Sequence, residues 1–148
     1  MDKAFNFINK ITAKPEAAKS IFQIIQEEGY KFEKHFYATQ DHYLNMVLRI
    51  NCMQGQDIAL QRTIPKPVVI LQHGLLSSCC EHLMNGQKSL AFRLVDEGYD
   101  VWINNSRGNM YSKHHRYLDP SFNREFWNYS FHEMAIYDQP ALFKYIED

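Results

Sequence analysis

The sequence predicts an α/β fold, in which parallel strands are connected by helices that pack on the sheet. The run Val68–Leu71 (VVIL) is short, continuous and β-branched, which is typical of a strand in the centre of a parallel sheet, covered on both faces. Residues 87–97 place apolar side chains at helical spacing and end at Gly98, and residues 99–103 (YDVWI) have the composition of a strand. A strand, a helix and a strand in this order predict one crossover unit.

The preceding part of the chain predicts a helix followed by an antiparallel hairpin. Ser20 and Gln23 have capping-box spacing, and Gly29 suits the left-handed end of a helix, so one short helix is expected between them. Residues 31–38 and 43–50 have strand-like patterns and are separated by turn-forming residues.

Other local signals define the remaining segments. Residues 55–66 are polar, and prolines stand at positions 65 and 67, which predicts a connecting loop. Ser130 and Glu133 form a second capping box, and Pro140 suits the first turn of a last helix.

Length, composition and charge favour one globular domain and exclude several classes of function. The 148 residues are about one domain in size, and with 45% hydrophobic and 22% charged residues the chain is not of the disordered class. The 16 Lys and Arg against 17 Asp and Glu leave a net charge of -1. Such a chain has no field that would attract nucleic acid or an anionic membrane surface, so neither is expected as a partner.

Residues 1–19 are polar and predict an N-terminal arm, and residues 20–148 form the predicted domain. The first 20 residues contain no apolar stretch of signal-peptide length, so as written the chain is expected in the cytoplasm, with its compartment left unassigned. The longest apolar runs are about four or five residues, far below the roughly 18 of a transmembrane helix. The three cysteines are odd in number and two are adjacent, which predicts thiols rather than disulfides.

The segment after Val68–Leu71 carries the most informative motif, in which Gln72 is followed by His73, Gly74 and Leu75. A strand that ends in a glycine-containing turn presents backbone N–H groups at the carboxyl edge of the sheet, where α/β enzymes bind ligands. In α/β-hydrolases two backbone N–H groups bind the oxyanion. One comes from the loop after the third strand, and the other belongs to the residue that follows the nucleophile.

Three motifs occur in a fixed order around this turn: QHGLL at 72–76, SLAFRLVDEGYDVWINNSRGN at 89–109 and EFWNYSFHEMAIYDQPA at 125–141. Together they closely resemble the acid lipase family of gastric and lysosomal acid lipases, from Ser20 to Ile146. The resemblance implies the N-terminal part of an α/β-hydrolase sheet: an antiparallel first hairpin, then parallel strands with crossover helices, truncated before the nucleophile elbow. It also implies hydrolysis of triacylglycerols or sterol esters through a serine acyl-enzyme.

The resemblance gives this chain one part of a catalytic site. The backbone N–H of Leu75 becomes an oxyanion-hole donor, and His73 and Gly74 shape the turn that aims it. The family's nucleophile, acid and catalytic His are expected beyond Asp148, so we expect the chain alone to be inactive and to act on a lipid ester only when completed. No cofactor and no metal is implied, and relatives are commonly secreted or lysosomal.

Two alternatives stay open. A small esterase would use Ser106, since NNSRG follows a predicted strand as a nucleophile elbow does, although its first residue is Asn and no amphipathic helix follows. A non-catalytic interaction module, or half of a split enzyme, would use an open edge at Val68–Leu71 to pair with a partner strand or a second copy.

The remaining polar residues receive structural interpretations. Arg107 and Asn109 are predicted to hold their loop through hydrogen bonds to backbone carbonyls rather than to orient a substrate, and His114 and His115 to be solvated. His42 stands where the resembled family commonly has glycine, so this hairpin turn must tolerate a side chain. Two further residues, Cys79 and His82, have the spacing of half a zinc site with no second pair.

Overall fold

The computed structural model describes residues 19–148, so the predicted arm at 1–19 lies outside the described residues except for Lys19. The described chain forms a four-stranded sheet flanked by helices. Its elements are α1 (Ile21–Glu27), β1 (Tyr30–Ala38), β2 (Leu44–Met53), α2 (Ile58–Thr63), β3 (Val68–Leu71), α3 (Leu90–Asp96), β4 (Asp100–Asn104), α4 (Phe131–Glu133) and α5 (Gln139–Glu147). Short 3₁₀ helices lie at Cys79–His82, Gly86–Lys88 and Arg124–Trp127, and a π-helical segment, Met134–Asp138, joins α4 to α5.

The sheet has the strand order β1-β2-β4-β3 and is mixed. β1 pairs with β2, and β2 with β4, in antiparallel orientation, whereas β3 and β4 are parallel. The connection from β3 to β4 contains α3, which is the predicted crossover unit. The architecture confirms the predicted α/β class, with an antiparallel hairpin leading into the first parallel strands.

Both predicted capping boxes are present. Ser20 Oγ accepts from the backbone amide of Gln23 at 3.3 Å, and Gln23 Oε1 accepts in return from the backbone amide of Ser20 at 2.9 Å. At α4, the Glu133 carboxylate accepts from the Ser130 amide at 2.7 Å. These contacts satisfy amide groups that the first turn of a helix leaves without partners, which explains why the two helices begin where the sequence predicts.

Two predictions about the middle of the chain are wrong. Residues 55–66 are not only a loop, because α2 forms there and its first turn is capped by Asp57, whose carboxylate accepts from the Ala59 amide at 2.9 Å. β3 is not covered on both faces in the centre of the sheet: it pairs only with β4 among the described strands, and Val68 is half exposed. The composition of a strand reports apolar character, whereas its place in the sheet depends on distant pairing partners.

The hairpin turn between β1 and β2 accommodates His42 in an uncommon way. His42 keeps a left-handed backbone with φ of +71°, and its amide donates to the Thr39 carbonyl at 3.0 Å. His is among the non-glycine residues that adopt this conformation most often. The ring also packs edge-on against Tyr117, 5.0 Å between centroids. The turn therefore tolerates the side chain without abandoning a conformation that favours glycine.

The sheet buries apolar side chains on both faces. One cluster packs α1 and α3 against the strands, with Ile25, Phe92 and Val101 completely buried. The other packs α5 on the opposite face, with Leu142 against Trp102. β4 lies between the two clusters and is buried along its whole length, and with β2 it is one of the two inner strands of the described sheet. No helix within residues 19–148 has the length and apolarity required to cross a membrane.

A buried ionic cluster connects three segments near the carboxyl end of β4. Arg107, 2% exposed, donates through Nε and Nη2 to Asp138 at 3.0 and 2.8 Å and through Nη2 to Asp41 at 2.9 Å. Its guanidinium lies 4.0 Å from the centroid of the Tyr43 ring. Burial opposes ionisation of Asp41, but hydrogen bonds and the charge of Arg107 outweigh it and lower the pKa of that carboxyl. The cluster ties the hairpin turn and the π-helical segment to the loop after β4.

Replacing Arg107 with alanine is expected to lower the free energy of unfolding by about 3–5 kcal/mol, because the buried carboxylate of Asp138 would lose its cation. The urea midpoint by circular dichroism measures the change. Arg124→Ala, at an exposed arginine, is the matched control and should change stability by less than about 0.5 kcal/mol. Equal effects of the two substitutions would show that the cluster does not stabilise the fold.

Candidate functional site

The carboxyl ends of β3 and β4 open into a cavity of about 1060 Å³. Three segments line it: the turn after β3, the loop after β4 and the start of α4 with the residues around it. Their large apolar members are Leu75, Leu76, Met110, Trp127, Phe131 and Met134. The cavity thus lies where parallel sheets of α/β proteins bind ligands.

The residues after β3 form a tight turn that brings the predicted oxyanion motif to this cavity. The Ser77 amide donates to the Gly74 carbonyl at 3.1 Å, and Leu76, the third residue of the turn, has φ of +64°. A positive φ at this place is the signature of a type II turn. On the other side, the Gly74 amide donates to Glu81 Oε2 at 3.0 Å. That bond and one from the Ser77 hydroxyl hold the pKa of Glu81 below its usual range.

Leu75 lies at the second position of the turn and lines the cavity. Its side chain is largely exposed, at 71%. Within residues 19–148, none of the hydrogen bonds uses the Leu75 amide. A backbone donor without a protein acceptor at the edge of a cavity can bind an anionic or carbonyl oxygen of a ligand.

His73 is fixed between the two loops. Its Nδ1 lies 2.7 Å from the Gly74 carbonyl oxygen, and its Nε2 lies 3.1 Å from the Ser106 amide nitrogen. A carbonyl only accepts and a backbone amide only donates, so these partners assign the proton to Nδ1 and the lone pair to Nε2. His73 is therefore a brace for the turn, and its acceptor nitrogen is occupied by a backbone donor.

Ser106, the alternative nucleophile, lacks the arrangement that would activate it. Its side chain is buried, and its Oγ accepts a hydrogen bond from Gln72 Nε2 at 3.0 Å. His73 contacts its backbone amide instead of its hydroxyl. Nucleophilic serines require a base within hydrogen-bond reach of the hydroxyl, and the described residues bring none to this one.

Arg107 and Asn109 both hold the loop after β4, but not through backbone carbonyls as predicted. Arg107 binds carboxylates, as described above. Asn109 Oδ1 accepts from the amides of Tyr111 and Ser112 at 2.9 and 3.1 Å, which closes the loop on itself. The partners differ from the prediction because the sequence does not reveal which groups the fold buries beside the loop.

The prediction that His115 is solvated is wrong. Its Nε2 lies 3.0 Å from the Asp41 carbonyl oxygen, and its Nδ1 accepts from the Tyr117 and Leu118 amides at 3.0 and 3.1 Å. It therefore connects its loop to the β1–β2 turn rather than being solvated, whereas His114 is exposed. The contact joins residues 74 positions apart, a distance over which the sequence carries no local signal.

The cysteines have no arrangement suited to chemistry. All three are free thiols, and burial raises the pKa of the Cys79 thiol to about 12. In the part of the chain that the structure describes, no three His, Cys, Asp or Glu side chains converge to hold a metal ion.

Two residues of the site were not predicted as site residues. Glu81 holds the Gly74 amide, and Gln72 connects β3 to β4 through Ser106 Oγ and Asn104, whose Nδ2 donates to Gln72 Oε1 at 2.8 Å. The position of Gln72 at the end of a strand was a usable signal. Glu81 had none, because it reaches the turn from a 3₁₀ helix that the sequence did not predict.

Comparisons with known proteins connect this chain to lipases. The family model described as a partial alpha/beta-hydrolase lipase region matches residues 21–86. The gastric triacylglycerol lipase of Bos taurus is 44% identical over 144 residues, which are 97% of this chain and 35% of that protein. Lipase member K of Homo sapiens is 45% identical over 135 residues, 90% of this chain and 33% of that protein. The tear acid lipase-like protein of Mesocricetus auratus is 41% identical over 136 residues, 91% of this chain and 33% of that protein.

The chain spans about a third of the length of these curated relatives. The matched region includes β1, β2 and β3, the strands that lead to the turn at the cavity. The chain belongs to the acid lipase family of α/β-hydrolases and corresponds to the N-terminal portion of its members.

Proposed function

We propose that this chain supplies the oxyanion-binding turn of a lipid ester hydrolase. The observation that carries the proposal is the Leu75 amide, which has no acceptor among residues 19–148 and lies in a braced turn at an apolar cavity. The relatives named as lipases support the same assignment.

The proposed chemistry is acyl transfer through a serine ester. As the serine attacks the ester carbonyl, the carbonyl oxygen becomes negatively charged, and a preorganised N–H donor stabilises that charge more than it stabilises the substrate. Leu75 provides one such donor, and the residue after the nucleophile provides the other. The nucleophile, its base and the acid that orients the base come from polypeptide outside this chain.

The apolar lining of the cavity supports a lipid substrate. Leu75, Leu76, Met110 and Phe131 present exposed apolar side chains around the turn. An acyl chain that lies along this wall would gain about 25 cal/mol of binding energy for each Å² of apolar surface that it buries. A triacylglycerol or a sterol ester is the substrate class that combines such a chain with an ester carbonyl.

A second candidate function is strand pairing, and the edge of β3 favours it. The Asp100 amide donates to the Pro67 carbonyl, so residue 67 faces β4. Successive residues of a strand alternate in direction, which turns the backbone groups of Val68 and Ile70 toward the side where no described strand lies. Such an edge can pair with a partner strand or a second copy of the chain.

Removal of the Leu75 amide tests the oxyanion assignment. A chimera in which this chain replaces the matching third of the bovine gastric lipase should hydrolyse a triacylglycerol, and Leu75→Pro should lower its kcat by about 10²–10³-fold, because proline has no N–H. Proline is favoured at the second position of such a turn, so the backbone is retained. Leu75→Ala keeps the amide and should mainly raise KM. Equal kcat values for the two variants would contradict the assignment.

The chain alone should not react with a fluorophosphonate probe, because the Ser106 hydroxyl has no base. Labelling is followed by fluorescence in a gel and by intact mass, with an active serine hydrolase as the positive control. Stoichiometric labelling that disappears in Ser106→Ala would instead support the small esterase.

The β3 edge should make the chain self-associate, and Val68→Lys should shift it toward monomer, since a charge on an edge strand opposes pairing. Sedimentation velocity over a range of concentrations measures this. Leu60→Lys, at an exposed position on α2, adds the same charge away from the edge and should leave association unchanged. A wild-type chain that stays monomeric at the highest concentration would exclude self-pairing.

A further inference from the structure

We infer that Asn109 is a positioning residue, which fixes the proton on the His73 ring and thereby aims the amide of Leu75. The inference rests on the proposed function of that amide. The loop after β4 would thus control the direction of the turn after β3. The connection consists of two contacts, from Asn109 to His73 and from His73 to the Gly74 carbonyl.

The orientation of the Asn109 side chain is determined by backbone donors. The amides of Tyr111 and Ser112 point at one end of the carboxamide, at 2.9 and 3.1 Å, so the oxygen must lie there. The NH₂ group is then turned the other way, where it lies 2.9 Å from Asn105 Oδ1 and 3.3 Å from His73 Nε2. A donor of fixed direction therefore faces the histidine ring.

His73 receives donors on one ring nitrogen only. Its Nε2 faces the Asn109 NH₂ group and the Ser106 amide, which lies at 3.1 Å, and both partners require a lone pair at that nitrogen. His73 is 9% exposed, and both of its ring nitrogens already have partners within the protein. The proton is thus held on Nδ1, which donates to the Gly74 carbonyl at 2.7 Å.

The Gly74 carbonyl determines where the Leu75 amide points. The peptide unit between these residues is planar and trans, so its C=O and N–H groups point in opposite directions. His73 Nδ1 and the Ser77 amide both donate to this carbonyl, which fixes its direction and polarises the whole unit. Glu81 holds the preceding amide. The Leu75 N–H is consequently held in one direction before any ligand arrives.

Asn109→Asp is a nearly isosteric test in the 148-residue chain. The carboxylate still accepts from the Tyr111 and Ser112 amides, but it turns an acceptor toward His73 Nε2 and favours a doubly protonated ring, whose new N–H opposes the Ser106 amide. The nearby charges of Glu81, which binds the Gly74 amide, and of Arg107, on the same cavity, are unchanged.

The measurement is the ¹⁵N shifts of the imidazole nitrogens, which distinguish the ring protonation states. We expect the Nδ1–H form in the wild type, a larger share of the doubly protonated form in Asn109→Asp, and a displaced Leu75 amide resonance in that variant. Asn128→Asp, at an exposed asparagine, makes the same charge change and should alter neither signal. An Nε2–H ring in the wild type, or equal effects of both substitutions, would overturn the inference.

The lipase chimera separates this inference from the proposed function. There Asn109→Asp should lower kcat, and its activity should recover as the pH rises and the His73 ring loses its extra proton, which a purely structural defect would not produce. If the ring shifts behave as expected but Leu75→Pro and Leu75→Ala have equal kcat values, the proposed function fails and the assignment of the proton stands. If the pH profiles of wild type and Asn109→Asp coincide, the positioning role is wrong.

Discussion

Arg107 is a buried cation that the fold must pair, and the pairing brings three segments of the chain together. Its carboxylate partners lie in the β1–β2 turn and in the π-helical segment before α5. A buried ion pair contributes little net stability over an apolar substitute, but loss of one partner is costly, so the arrangement is all or none. The loop that follows β4 is therefore fixed in place, and with it the groups that contact His73.

The group proposed to stabilise a reacting ester is a backbone amide, and side chains hold the turn that carries it. His73, Glu81 and Asn109 each bind the turn or its support, and in the structure none is arranged as a nucleophile or as its base. Such preorganisation suits an oxyanion site because donors already aimed at a developing charge need no rearrangement during the reaction.

The turn and the open edge belong to the same strand, which connects the two candidate functions. β3 ends at the cavity, and its free side lies next to the turn that carries Leu75. A strand that pairs with this side would also approach the cavity. Under the proposed function, completion of the sheet and completion of the ester-binding site are thus expected to be one event, whether the added strand belongs to the same polypeptide or to another.

Local signals allowed most of the elements to be predicted. The capping boxes that begin at Ser20 and Ser130 were confirmed because they act over three residues, and the crossover between β3 and β4 was visible in periodicity. α2 was missed because its single cap, Asp57, stands in a polar segment without apolar spacing. The resemblance to acid lipases pointed to the turn at Leu75, and the role of that residue as an oxyanion donor stays a prediction.

The sequence by itself determined the class of the fold, the family and the position of the glycine turn, since each depends on residues close together in the chain. Only the tertiary structure decided that Arg107 is buried between two carboxylates and that Asn109 faces His73 across 36 positions. These relations join segments that are distant in sequence. Burial and the identity of hydrogen-bond partners arise only when the chain has folded.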